Sequence, residues 1–302
     1  MTAQAMPVLY ADPVEEEATT SLPVVTQANT DGQMVDLWVN RHESPHTRRN
    51  YRRQAERFLG YARRPLASVT VGDLQDYLAT LQDQAPATRA NATAALKSLF
   101  SFAHEIGYIP FNVGRVMKAP SVKSRLAERI LNEPDVLRMI ALEPKLRNRV
   151  LLTLLYGAGL RISEACGLRW RDLAGRDRAG QATVFGKCGK TRVILLSANT
   201  WRLVQELRGA AELDDPLFPS RKGGGVLDPS GIHRIVKAAA ARAGLSPEVS
   251  AHWLRHAHAS HSLERGAPIH LVQATLGHAS VATTGRYLHA RPTDSSARYL
   301  GV

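Results

Sequence analysis

Cysteine is nearly absent from this chain: of 302 residues only Cys166 and Cys188 are cysteines, and they form no Cys-x-x-Cys pair. That excludes a disulfide-stapled secreted scaffold and a thiolate zinc ribbon. No apolar stretch approaches the ~20 residues needed to cross a bilayer. No secretory leader pattern is present either, so a reducing cytoplasm is the expected setting. A Gly-x-x-x-x-Gly-Lys-Ser/Thr phosphate loop is also missing, and ATP use is not indicated.

Basic residues are lacking over the first 40 positions, which hold six acids: Asp12, Glu15, Glu16, Glu17, Asp31 and Asp36. All 39 Lys and Arg fall later, against 27 Asp and Glu in the whole chain, giving a net charge of +12 and a pI near 10.1. Such a balance favours a polyanionic partner over a small acidic substrate. Residues 1–30, with Pro7, Pro13, Pro23 and many Thr and Ala, read as an acidic, disordered tail.

The chain is long enough, and at 44% hydrophobic content apolar enough, for two modest cores. Its patterning predicts a mainly α protein with one small β element. Residues 31–117 should form a helical domain, with helices over about 34–42, 45–63, 71–82 and 86–106. In the second of these, Arg48, Arg49, Arg52, Arg53 and Arg57 crowd one side, while Tyr51, Ala55, Phe58 and Leu59 supply a core face. A solvated helix would interleave more acids, and here Glu56 is the only one. The cationic face is suited to phosphates and to the major groove. A short basic linker over 118–129 adds Lys123 and Arg125 as further contacts to DNA. A second domain over 130–302 should open with a helix capped by Asn132, and carry another helix over about 229–243 after the Gly223-Gly224-Gly225 loop.

Three constellations in this second domain carry chemistry. In Gly157-Ala158-Gly159-Leu160-Arg161-Ile162-Ser163-Glu164, two glycines break an apolar run, so Arg161 falls at a helix start where free N–H groups favour an anion. Glu164 is one turn on, in reach of that arginine. Phe185-Gly186-Lys187-Cys188-Gly189-Lys190-Thr191 lies between β-rich residues and reads as a hairpin with lysines on its turn. From His252 to Tyr287 the chain places His252-Trp253-Leu254-Arg255, then Leu276-Gly277-His278, then Gly285-Arg286-Tyr287. His252 and Arg255 are three apart and share a helical face. A guanidinium there matches two phosphate oxygens, and a tyrosine hydroxyl beside such a site is a candidate covalent nucleophile.

Histidine density at His252, His256, His258 and His261 invites a zinc reading. Arg255 sits between the first two, and no carboxylate follows the first histidine, both of which disfavour a dication. No metal and no cofactor are expected. Cys188, beside Lys187, is read as a small turn residue.

The order Arg161, Glu164, Lys187, His252, Arg255, His278, Tyr287 resembles the tyrosine recombinases of the integrase superfamily. The likeness covers about residues 130–290, with a weaker one over roughly 31–118, where the family carries a SAM-like, four-helix core-binding domain. It implies cleavage of DNA by Tyr287 through a 3′-phosphotyrosyl link. Arg161 and Arg255 would stabilise charge on the non-bridging oxygens, and Glu164 would orient Arg161. Lys187, first of the two turn lysines, would protonate the leaving 5′-oxygen. His278 would donate to a phosphate oxygen, and His252 would exchange a proton with the tyrosine or bind the phosphate; these proton roles stay open between Lys187 and His252. The partners implied are double-stranded DNA and three further protomers, identical or related, in a tetramer joined by C-terminal segments, with Tyr299 and Leu300 as anchors; no membrane is involved. The role that fits best is Xer-like resolution of chromosome or plasmid dimers. A mobile-element integrase, a type IB topoisomerase and a catalytically silent DNA-binding regulator are the alternatives.

Overall fold

The computed structural model describes residues 28–121, 125–186, 189–220 and 225–288. The chain divides into two compact units, 1–123 and 124–302.

Four helices build the first unit: α1 (Asp31–Asn40), α2 (Pro45–Ala62), α3 (Val71–Ala79) and α4 (Pro86–Glu105). Their starts are set by local chemistry. Thr30 and Ser44 accept from the backbone N–H groups of Gln33 and Thr47, and Pro45 and Pro86 occupy first-turn positions where no N–H is needed. At α3, Thr70 and Asp73 cap each other reciprocally, Thr70 N donating to Asp73 at 2.8 Å and Asp73 N to Thr70 Oγ1 at 3.2 Å. Met34, Trp38, Phe58, Leu74, Leu96, Leu99 and Phe100 are fully buried between the helices. Asp31 ties the unit together, accepting from Tyr108 Oη at 2.8 Å and from the Leu66 N–H at 3.0 Å.

The core face expected of α2 is observed, with Ala55 and Phe58 fully buried and Tyr51 and Leu59 half-buried. Its arginines are not equivalent. Arg48 turns back onto the carbonyls of His42 and Asn40, and Arg52 pairs with Asp36 at 2.6 Å. Arg49, Arg53 and Arg57 are exposed, with Arg53 donating to Asn50 at 3.2 Å.

The second unit contains α5 (Glu133–Ala141), α6 (Leu146–Gly157), α7 (Ile162–Gly167), α8 (Ala198–Arg208), α9 (Pro229–Arg242), α10 (Ala251–Glu264), α11 (Ile269–Leu276) and α12 (Val281–Gly285). Strands β1 (Leu173–Arg176), β2 (Ala179–Phe185) and β3 (Thr191–Leu196) form one antiparallel sheet in chain order. The hairpin expected around Lys187 is the β2–β3 pair, with Val184 opposite Arg192; β1 extends it to three strands. Asn132 stands at the first helix boundary of the unit, but its side chain makes no capping bond there. Helix α6 runs through the core, with Val150, Leu151, Leu152, Leu154 and Leu155 all fully buried. Its C-terminal end delivers the chain to Arg161, and α10 packs alongside it, so the two arginines of the sequence motifs meet at one place. Among the described residues no helix is long and apolar enough to cross a membrane.

Candidate active site

Three arginines converge on the C-terminal end of α11. Arg192 Nε donates to the Thr275 carbonyl at 2.7 Å, Arg255 Nη2 to that of Leu276 at 2.5 Å, and Arg161 Nη2 to that of Gly277 at 3.0 Å. The last carbonyls of a helix have no partner within it and carry the negative end of its dipole, so they are a natural seat for cations. Gly277 closes the helix at φ +61, a conformation that favours glycine, and a Cβ there would lie 3.1 Å from Arg192 Nη1. Gly159, at φ +59, offers its carbonyl to Arg255 Nη1 from the other side.

Glu164 supplies the counter-charge. Its carboxylate accepts from Arg161 Nη1, from the Arg161 backbone N–H, and from both terminal nitrogens of Arg192, each at 2.8 Å. Burial would raise the Glu164 pKa, but the bonds from Arg192 and Arg161 outweigh it and hold the carboxyl at about 2. The backbone N–H of Arg161, just ahead of α7, is thus already satisfied by Glu164. One carboxylate against three guanidiniums leaves a net positive site. Arg255, 4% exposed, is lowered to about 10 by burial and the Arg161 charge, and remains protonated at neutral pH.

Tyr287 follows α12, whose short turn folds it back onto α10 and α11. It is 6% exposed, and its hydroxyl lies 2.8 Å from His256 Nδ1. Burial raises its pKa, against the charges of Arg255 and Arg286. The His278 ring is parallel to that of Tyr287, centroids 6.5 Å apart, and its Nδ1 bonds Thr284 Oγ1 at 2.9 Å. His278 also closes α11, its backbone N–H donating to the Gln273 carbonyl at 3.1 Å. His252 is exposed at the start of α10, beside a cleft lined by Arg129, Ser250, Trp253 and His256. Partial desolvation and the Arg255 charge push it below its ordinary value.

Arg161, Glu164, His252, Arg255, His278 and Tyr287, widely separated in the chain, therefore gather around α10 and the end of α11. Lys187 lies outside the described residues, as do Lys123, Cys188 and the tail with Tyr299 and Leu300. The base of the Lys187 hairpin is at the site: a Cβ on Gly186 would sit 3.7 Å from Arg192 Nη1 and 3.9 Å from Glu164 Oε1. Arg125, in the linker, pairs with Glu128 at 2.6 Å. The four histidines of α10 split: His252 and His256 face the site, while His261 bonds Tyr156 Oη at 3.0 Å and His258 packs under Gly159. Among the described residues no three potential ligands gather as a metal site.

Sequence reasoning missed two residues. Arg192 alternates with the buried Ile194 and Leu196 on β3, and an arginine at an inward-facing strand position is the signal that it is paired. His256 is one helical turn from His252, a spacing that put it in the metal question and hid its relation to the tyrosine.

Residues 127–294 match the phage integrase family, and residues 34–106 match the N-terminal SAM-like domain of phage integrases. The chain belongs to the phage integrase family. As a member it is a tyrosine recombinase, a site-specific recombinase that breaks and rejoins DNA strands. It is 35% identical to the tyrosine recombinase XerC of Myxococcus xanthus over 268 residues, 81% of this chain and 87% of that one. It is 33% identical to XerC of Pelobacter propionicus over 269 residues, 84% of this chain and 87% of the relative. Among solved structures, the XerH recombinase bound to its difH substrate shares the fold of this family member with a TM-score of 0.70, at 24% identity, over 87% of this chain and 83% of that one.

Proposed function

We propose that the chain carries out Xer-type recombination on double-stranded DNA, with Tyr287 as the nucleophile. The observation that carries this reading is the buried Tyr287 hydroxyl beside a net positive cluster of guanidiniums, whose charge is only partly cancelled by Glu164. A backbone phosphate seated there meets Arg161 and Arg255 through its non-bridging oxygens. Tyr287 Oη gives up its proton to a neighbouring base and forms a bond to phosphorus, the bond from phosphorus to O5′ breaks, and the 5′-oxygen takes a proton from Lys187 and leaves as a hydroxyl. Negative charge accumulating on the non-bridging oxygens as phosphorus becomes five-coordinate is what the arginines stabilise. His278 and His252 donate to phosphate oxygens. The phosphotyrosyl ester conserves the bond for rejoining, so the residues named account for the chemistry with no cofactor.

Residues 31–117 serve as the core-binding domain, using the exposed arginines of α2, and residues 130–302 as the catalytic domain. The working assembly is a tetramer, of this chain alone or with a related recombinase. Resolution of chromosome or plasmid dimers is the role favoured by the XerC relatives, which this chain matches over 87% of their length.

The experiment is a denaturing gel of the full chain with nicked suicide substrates, wild type beside Tyr287→Phe. A covalent adduct in wild type only is expected. An adduct formed equally by Tyr287→Phe overturns the assignment of the nucleophile.

A further inference from the structure

We propose that His256 is a catalytic residue of the strand-transfer step, accepting the Tyr287 proton on Nδ1 as Oη attacks phosphorus and returning it when the phosphotyrosyl bond is broken. This rests on the assignment of Tyr287 as nucleophile. Among the described residues, the His256 ring nitrogen is the one side-chain atom within hydrogen-bond distance of the Tyr287 hydroxyl, at 2.8 Å. The rings are tilted at 46° with centroids 5.7 Å apart, and the contact between them is made by the ring nitrogen and the hydroxyl. His278 is held differently: its ring is parallel to the tyrosine and its Nδ1 is engaged by Thr284. His252 lies one turn earlier, at the start of α10, its centroid 6.2 Å from that of His256.

The surroundings keep the acceptor unprotonated. On its own helix His256 faces His252 and Arg255; Arg129 faces it from the turn before α5, and Arg286 from the end of α12, while Glu248 lines the same cleft. Burial, followed by the neighbouring positive charges, lowers the His256 pKa to about 4, so at neutral pH the ring is neutral. With the proton on Nε2, the Nδ1 lone pair receives the tyrosine hydrogen bond. A phosphate arriving among the arginines brings negative charge next to the ring and raises its basicity when the proton must move. The step balances: the Oη–H bond breaks as Oη–P forms, the proton passes to Nδ1, and the bond from phosphorus to O5′ breaks with protonation of O5′ by a separate acid. In the reverse step the imidazolium returns the proton to the departing tyrosine.

The test compares the single-turnover rate of adduct formation by the full chain, wild type and His256→Gln, from pH 6 to about 9.5, with DNA binding and thermal melting measured alongside. Loss of a positioned base is expected to slow adduct formation by about 10²-fold or more near pH 7. The deficit should shrink as pH rises, because tyrosinate formed by solvent needs no base. In a second arm, 3-fluorotyrosine at position 287 lowers the phenol pKa and is expected to speed His256→Gln by a larger factor than it speeds wild type. A deficit constant across pH and unmoved by fluorination is what a purely packing role gives, and overturns the proposal. A faster His256→Gln enzyme also overturns it, since the bond would then restrain the tyrosine. If Tyr287→Phe also forms adduct, the underlying assignment fails; if it does not while His256→Gln equals wild type throughout, only the role of His256 fails.

Discussion

Arg192 grips Glu164 with both terminal nitrogens at 2.8 Å, while the same Glu164 Oε1 also accepts from Arg161 Nη1 at that distance. The consequence is a division of labour among like charges. Arg192 neutralises the buried carboxylate, so Arg161 is oriented by Glu164 without being cancelled by it. A phosphate therefore meets a cation held in place but still largely unspent.

Removing Arg192 should expose that division. In Arg192→Ala the carboxylate keeps Arg161 as its main partner, which pulls the catalytic cation inward. Breaking a buried pair from one side typically costs about 3–5 kcal/mol. Arg192→Ala is expected to lose about that much in denaturant melts and to form adduct at least about tenfold more slowly. Adding Glu164→Gln to Arg192→Ala should recover much of the stability, because the uncompensated charge is gone. A double variant no more stable than Arg192→Ala would refute the coupling.

Acid should unfold the second unit in two stages. His256, His258 and His278 are each held at about 4, chiefly by burial. A depressed histidine pKa means that the unfolded chain takes up protons first, so the contribution is intact above the ordinary value near 6.5 and is lost as pH falls toward 4. The depressed carboxyl of Glu164 acts lower: its contribution holds above the ordinary value of 4.5 and disappears as pH falls toward 2. Each fully titrating proton changes stability by about 1.4 kcal/mol per pH unit. His258→Phe, at a half-buried position under Gly159, should reduce the slope between pH 6 and 4.5 by about that amount, read from urea midpoints. An unchanged slope would refute the assignment.

How much of this was legible in the sequence depended on whether the deciding contact was local. Ser44-Pro45 announces its helix because the cap acts within three residues. Strand β1 was not foreseen, since Leu173-Ala174-Gly175-Arg176 has little β-forming character and becomes a strand only by pairing with β2. The motif residues were readable because their types and spacing fit one chemistry. Arg192 was not, because its partners, Glu164 and the Thr275 carbonyl, lie 28 and 83 residues away. The contact of His256 with Tyr287 depends likewise on the turn at α12, which folds the chain back across 31 residues.

Gly159 should not tolerate even a methyl group. Its φ of +59 is strained for an L residue, and a Cβ would lie 2.7 Å from Leu276 Cδ2 and 2.9 Å from His258 Cδ2, both in packed surroundings. Left-handed backbone and overpacking together cost about 2–5 kcal/mol. Gly159→Ala is expected to lose stability in that range and also to slow adduct formation, because the displaced carbonyl is one of those that hold Arg255. Wild-type stability would show that the backbone relaxes at no cost.

The arginines of α2 should separate by what they already touch. Arg49 and Arg53 are exposed, whereas Arg48 is bound to backbone carbonyls and Arg52 to Asp36. An arginine that neutralises a phosphate releases about 0.9 counterion, so its loss lowers the slope of log K against log salt by about that amount, whatever the DNA sequence. Arg49→Ala and Arg53→Ala are therefore expected to flatten the salt dependence of DNA binding by about 0.9 each while leaving melting unchanged. Arg48→Ala should instead lower the melting temperature, because it removes a tie between α2 and the end of α1, and should change the salt slope less. Equal slopes for all three variants would mean that the local contacts of Arg48 are surrendered on binding, and that the whole row engages the backbone.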